Sequence, residues 1–306
     1  MSDAAALNER FGICGHLRFA PGPGGLVVAE VANAAGTARV ALHGAHVLDF
    51  APRGARPVLW LSGKSWFASD KPIRGGIPVC WPWFGAHPTD STSPAHGFAR
   101  ISDWDVLDTW ADSDSITGLR LRLRDSEATR RLWDHAFEAV VEVRVGRDLA
   151  VALVMRNPGA TPYTVTAALH TYFAVSDVTQ VRVLGFDGCP YVDTVGGART
   201  PGVQHGPITV KAETDRVLGE CAGEARIEDP PWGRSLRVRK SGSRSAVVWN
   251  PWIAKARRMP DFGDDEYPGM ICVETTNAPG DERTVPPGDE HRLEAIVSVK
   301  SATPDP

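Results

Sequence analysis

Apolar and polar positions alternate over short runs along most of this chain. Leu119, Leu121 and Leu123 interleave with Arg120, Arg122 and Arg124, which predicts a strand with one face in a core and an arginine row facing solvent. Alternating or β-branched runs recur at 26–31, 38–42, 58–61, 136–145, 149–155, 163–169 and 181–185. They continue at 235–239, 246–249, 270–274 and 293–299, with Gly, Pro, Asn and Asp between them. The texture predicts about twelve strands. Helical spacing is confined to two short stretches, 126–133 and 252–259, the second just after a proline. A hairpin turn is expected at 21–25. The fold class read from this pattern is all-β, a sandwich or barrel with few short helices.

No linker composition and no internal repeat interrupts the 306 residues, so a single domain over 1–306 is expected, with a frayed tail at 301–306. At 42% hydrophobic and 23% charged residues the chain can bury an ordinary globular core. The formal charge of −4 gives no reason to expect nucleic acid or an anionic membrane as partner. No 18-residue apolar run is present, and the first residues lack the basic and apolar regions of a secretion signal. The five cysteines are odd in number and lack CxxC spacing. A disulfide framework or structural zinc site is therefore not expected, and free thiols fit a cytoplasmic protein. A monomer is expected.

Chemistry concentrates first in 74–100, RGGIPVCWPWFGAHPTDSTSPAHGFAR. Glycines admit close backbone approach, aromatics line small-molecule pockets, and an arginine at each end suits a phosphate or carboxylate. Trp81, Trp83, Trp249 and Trp252 flank prolines and suit stacking on a sugar face. Two further residues stand out because polar groups at the ends of apolar strands must be satisfied or functional. His170 follows Tyr-Thr-Val-Thr-Ala-Ala-Leu, and Glu274 follows Met-Ile-Cys-Val. A lone histidine beside aromatics is more often structural, whereas a carboxylate is seldom buried without a partner. If they converge, they form the smallest kit for general acid/base work. Asp261-Phe262-Gly263 matches a kinase motif in letters only, and Asp264, Asp265 and Glu266 read as an exposed acidic loop. Cys80, His87 and His96 lack zinc spacing, so no metal and no cofactor is expected.

Five blocks in order, RGGIPVCWPWFG (74–85), HGFAR (96–100), ALHTYF (168–173), VVWNPWIAKARRMPDF (247–262) and MICVETTN (270–277), resemble the D-hexose-6-phosphate mutarotases. These glucose-6-phosphate 1-epimerases are a branch of the aldose 1-epimerase superfamily, and the resemblance spans about residues 20–299. It implies a galactose-mutarotase-like fold, a large antiparallel β-sandwich with the sugar on its concave face. It also implies His170 and Glu274 as the catalytic pair, and Arg74 and Arg100 as ligands of the phosphate. The sugar-contacting aspartate falls at Asp215, and His96 and Trp249 belong to the substrate-binding set. Two departures from the family pattern are Ala254-Lys255-Ala256-Arg257-Arg258 after the NPW block and Thr275-Thr276 after Glu274.

The activity so implied is cofactor-independent interconversion of the α and β anomers of a hexose 6-phosphate, glucose 6-phosphate first, by ring opening and reclosure. Three rivals remain. A non-catalytic sugar-phosphate sensor would need neither His170 nor Glu274. An epimerase of unphosphorylated sugars would not need the two arginines. A glycosidase would want a second carboxylate at set separation.

Overall fold

The computed structural model describes residues 3–301. Two eight-stranded sheets dominate it. The first, which carries the site, runs in the order Thr200–Val203, Pro190–Asp193, Thr214–Leu218, Ser245–Asn250, Met270–Asn277, Ala167–Leu169 and Val79–Cys80. Its remaining strand, Tyr172–Ala174, also pairs with Met270–Asn277. The second sheet runs from Arg182–Leu184 through Ala225–Asp229, Arg234–Ser241, Glu290–Ser301, Leu149–Arg156, Glu138–Val145 and Ile116–Arg124 to Asp105–Ser113. Neighbouring strands are antiparallel throughout. A four-stranded sheet from Leu17 to Pro52 and a two-stranded ribbon complete the β structure.

Alternation decides which face does what. In the second sheet Leu119, Leu121, Val141, Val143, Leu153 and Met155 point inward. They meet Leu169, Ala246, Val248, Ile271 and Val273 of the first sheet in one core. The intervening residues of the first sheet, Val247, Trp249, Met270 and Cys272, join Tyr172 and Phe262 in a separate cluster on its other side. Both faces of the 270–277 strand are therefore covered, which explains why it reads as a continuous apolar run rather than an alternating one. The expected arginine row is solvated: Arg120 bonds Asp108 and Arg124 bonds Glu138.

Several expectations shift. The helix expected at 126–133 is Glu127–Leu132, capped by Ser126, and that at 252–259 is the shorter Trp252–Ala256. The Ala4–Phe11 helix has too weak an apolar stripe to be read from sequence and buries no residue fully. The stretch 58–61 makes only single bridges, Leu59 to Phe173 and Leu61 to Gly75. Ser301 ends a paired strand rather than starting a frayed tail, and 302–306 lie outside the described residues. Free thiols hold for Cys14, Cys80 and Cys272, but Cys189 and Cys221 are bonded, their Cα atoms 6.0 Å apart. That pairing joins residues 32 apart in sequence, across three strands of the first sheet, a closure no spacing rule reveals.

Candidate active site

Strand register sets the site. Asp215 lies opposite Trp249, Trp249 opposite Cys272, and Cys272 opposite Tyr172, so these four form one row across the sheet face. Glu274 is two residues beyond Cys272 and therefore projects from that same face. His170 sits in the break between Ala167–Leu169 and Tyr172–Ala174, where its N–H bonds the Pro78 carbonyl at 3.0 Å. The break brings imidazole Nδ1 to 3.4 Å from Glu274 Oε1. Neither His170 Nδ1 nor Glu274 Oε2 has a hydrogen-bond partner, although both atoms are buried.

Burial acts on the two groups in opposite senses. It raises the Glu274 carboxyl well above its ordinary range, helped by the charge of Asp215. It lowers His170 well below its ordinary value, helped by His96, Arg74 and Arg100. Each shift disfavours a charge, so burial favours the neutral forms of the pair, imidazole and carboxylic acid. The His170 ring stacks on Tyr172 (4.7 Å between centroids, 8° between planes), and Trp249 meets it edge-on at 6.1 Å. These contacts fix the imidazole plane.

The two arginines are held differently. Arg74 donates from Nε to Asp261 at 3.1 Å and from Nη1 to the Tyr172 hydroxyl at 3.0 Å. Burial opposes its charge, but Tyr172 and Asp261 outweigh that and raise its pKa. Arg100 donates from Nη2 to the Ala95 carbonyl at 2.8 Å, and its buried Nε has no partner. Burial lowers its pKa. His96 adopts a left-handed backbone (φ 63°) and accepts from the Gly85 N–H at 3.2 Å. Burial, then Arg100 and Arg74, push its ring down to about 3. At the far end Lys255 Nζ lies 2.9 Å from Glu213, 3.6 Å from Asp215 and 5.7 Å from the centre of the Trp249 ring.

All seven residues singled out from sequence thus converge. The reading of 74–100 as pocket wall needs correction at its tryptophans and glycines. Trp81 and Trp83 are core residues, packed on Phe98, with Trp81 also against Phe137. Gly76 (φ 60°) is required by the fold, since a Cβ there would stand 2.2 Å from the Val47 carbonyl oxygen. Trp252 packs against Tyr267; beside His170 the structure places Trp249, almost buried, and Tyr172. Tyr172, Asp261 and Lys255 were not assigned to the site from sequence. For Asp261 the signal was present, a carboxylate next to a buried phenylalanine, but its partner lies far off in sequence. The expected acidic loop is confirmed in part: Asp264 pairs with Lys64, while Glu266 folds back onto Ser62.

Residues 28–298 match the aldose 1-epimerase family. The chain is 36% identical over 263 residues to an Escherichia coli K12 protein provisionally named a glucose-6-phosphate 1-epimerase, covering 86% of this chain and 87% of that one. A crystal structure of a provisionally assigned mutarotase from Salmonella typhimurium aligns with a TM-score of 0.88 at 32% identity. It covers 95% of this chain and 96% of that one. A galactose mutarotase-like protein from Clostridium acetobutylicum aligns with a TM-score of 0.74 at 14% identity, over 93% and 98% of the two chains, and speaks to the fold alone.

Proposed function

The chain belongs to the aldose 1-epimerase family, and on that premise we propose that it interconverts the α and β anomers of a hexose 6-phosphate. The observation that carries this reading is the buried His170–Glu274 pair, 3.4 Å apart, with the buried Nε of Arg100, whose charge acts on His170, left unpartnered. Mutarotation needs one group that gives a proton and one that takes it, and returns both unchanged.

Glu274, as carboxylate, removes the proton of the C1 hydroxyl while His170, as imidazolium, protonates the ring oxygen. The C1–O5 bond breaks to give the open aldehyde. Rotation about C1–C2 presents the other face, O5 attacks it, and the two protons return. The step needs a proton on His170, whereas burial, which raises Glu274 and lowers His170, favours it on Glu274. Arg74 and Arg100 help to hold it there, because each lowers His170. A bound phosphate dianion would offset both cations and so draw the proton to the imidazole. The phosphate would then prepare the acid as well as anchor the sugar. Asp215, steadied by Lys255, would hold sugar hydroxyls, with His96 and the exposed edge of Trp249 completing the contact surface.

The working state is proposed to be a cytoplasmic monomer acting through one domain. Every group named comes from one chain; Cys14, Cys80 and Cys272 are free thiols, while Cys189 and Cys221 are bonded. No helix among the described residues is long and apolar enough to cross a membrane. Two-dimensional NMR exchange on glucose 6-phosphate and on glucose tests the function. Faster exchange of the phosphorylated sugar is expected. Equal enhancement of both would favour an epimerase of free sugars, and no enhancement of either would leave a binding protein.

A further inference from the structure

We propose that His170, Cys272 and Glu274 form a capture site for one soft divalent cation of the zinc class, which inhibits anomer exchange by occupying both reacting groups. Their ligand atoms, an imidazole nitrogen, a thiol sulfur and a carboxylate oxygen, all lie within 4.8 Å of one another. The arrangement follows from register. Cys272 and Glu274 are alternate residues of one strand, and Tyr172, two residues after His170, is the partner of Cys272. Hydrogen-bonded backbone therefore holds all three, so the donor set exists before any ion arrives.

A second observation points to a ligand. His170 Nδ1 and Glu274 Oε2 have no partner, though the two residues are only 8% and 2% exposed. Neighbouring side chains supply no donor to that carboxylate oxygen, and a cation would satisfy carboxylate and imidazole together. The mixed nitrogen, sulfur and oxygen set is one that zinc accepts. Bond lengths of about 2.0–2.3 Å place tetrahedral donors roughly 3.5 Å apart, so side-chain rotation must close the group by about 1 Å. Magnesium and calcium take oxygen ligands and would leave the thiol unused. Zinc, cadmium and cobalt should therefore bind in preference to them. On binding, the thiol gives its proton to solvent, as does the carboxyl, and a fourth position stays open to water or a sugar hydroxyl. Only the inhibitory consequence rests on the proposed function; the binding does not.

Cobalt(II) titration of the full chain tests it. The expected result is one equivalent bound, with thiolate-to-cobalt charge-transfer absorption that zinc displaces and magnesium does not. In Cys272→Ala and Cys272→Ser variants with native circular dichroism, binding should weaken by about tenfold or more. If neither variant folds, His170→Asn should show the same loss. Zinc should raise the apparent KM for glucose 6-phosphate, reversibly with a chelator, and the activity remaining in the Cys272 variants should be correspondingly less sensitive. Absence of the charge-transfer band, or a band unchanged in the folded variants, overturns the site. A chain that binds cobalt in this way yet exchanges no anomers would sink the proposed function and leave the site standing. Normal exchange with no cobalt band would do the reverse.

Discussion

Arg74 and Arg100 bring the same charge to bear on His170, and the protein treats them differently. Arg74 is answered from within: Asp261 takes its Nε and the Tyr172 hydroxyl takes Nη1. Arg100 has one carbonyl for Nη2 and a buried Nε with nothing to bond. A guanidinium already satisfied does structural work, here by holding the ring that stacks on His170. One left wanting is suited to a ligand anion. The pair shows that a charge in a site is informative only together with what already neutralises it.

The sharpest way to break this contrast is Arg74→Ala. It strands the buried Asp261 carboxylate, and loss of one partner of a buried pair costs about 3–5 kcal/mol. Urea unfolding should show it, and a variant as stable as the parent would remove Arg74 from its structural role. Arg100→Ala should unfold within about 1 kcal/mol of the parent, as expected for a group with little protein bonding. It should weaken the phosphorylated sugar by roughly 10- to 100-fold relative to glucose, the worth of one charged hydrogen bond. Equal losses on both sugars would make Arg100 structural too.

Two smaller effects sharpen the electrostatics. Added inorganic phosphate should speed exchange of free glucose a few-fold in the parent and leave Arg100→Ala unmoved, because the dianion offsets the cations that hold His170 down. A flat response in the parent would reduce phosphate to an anchor. The pH profile of kcat/KM should be a bell bounded by uptake of a second proton by the pair and loss of the only one. Since His170 is lowered, the acid limb belongs well below pH 6.5; since Glu274 is raised, the basic limb lies well above the ordinary carboxylate range. Asp215 contributes to the raising, so Asp215→Asn should move the basic limb to lower pH. A limb that stays put or moves up would separate Asp215 from Glu274.

The β character and both members of the proposed catalytic pair were legible, the first from local pattern and the second from polar residues closing apolar strands together with the family resemblance. Alternation over 119–124 marks a one-sided strand, and a glutamate closing Met-Ile-Cys-Val is conspicuous in any context. What escaped depends on register and distance. Nothing local links Asp261 to Arg74, or shows that His170 joins the face that Cys272 and Glu274 share. Trp81 and Trp83 misled for the complementary reason. Their prolines read as loop and hence as pocket, yet the loop carries both rings into the core beside Phe98.

Proton transfer by His170 and Glu274 is what drives the proposed exchange. Glu274→Gln, followed by NMR exchange spectroscopy on glucose 6-phosphate at saturating substrate, tests it most directly. The amide cannot accept the C1 proton, so enhancement should fall by at least about 100-fold, while line broadening still reports a bound sugar. Exchange within a few-fold of the parent would contradict the account.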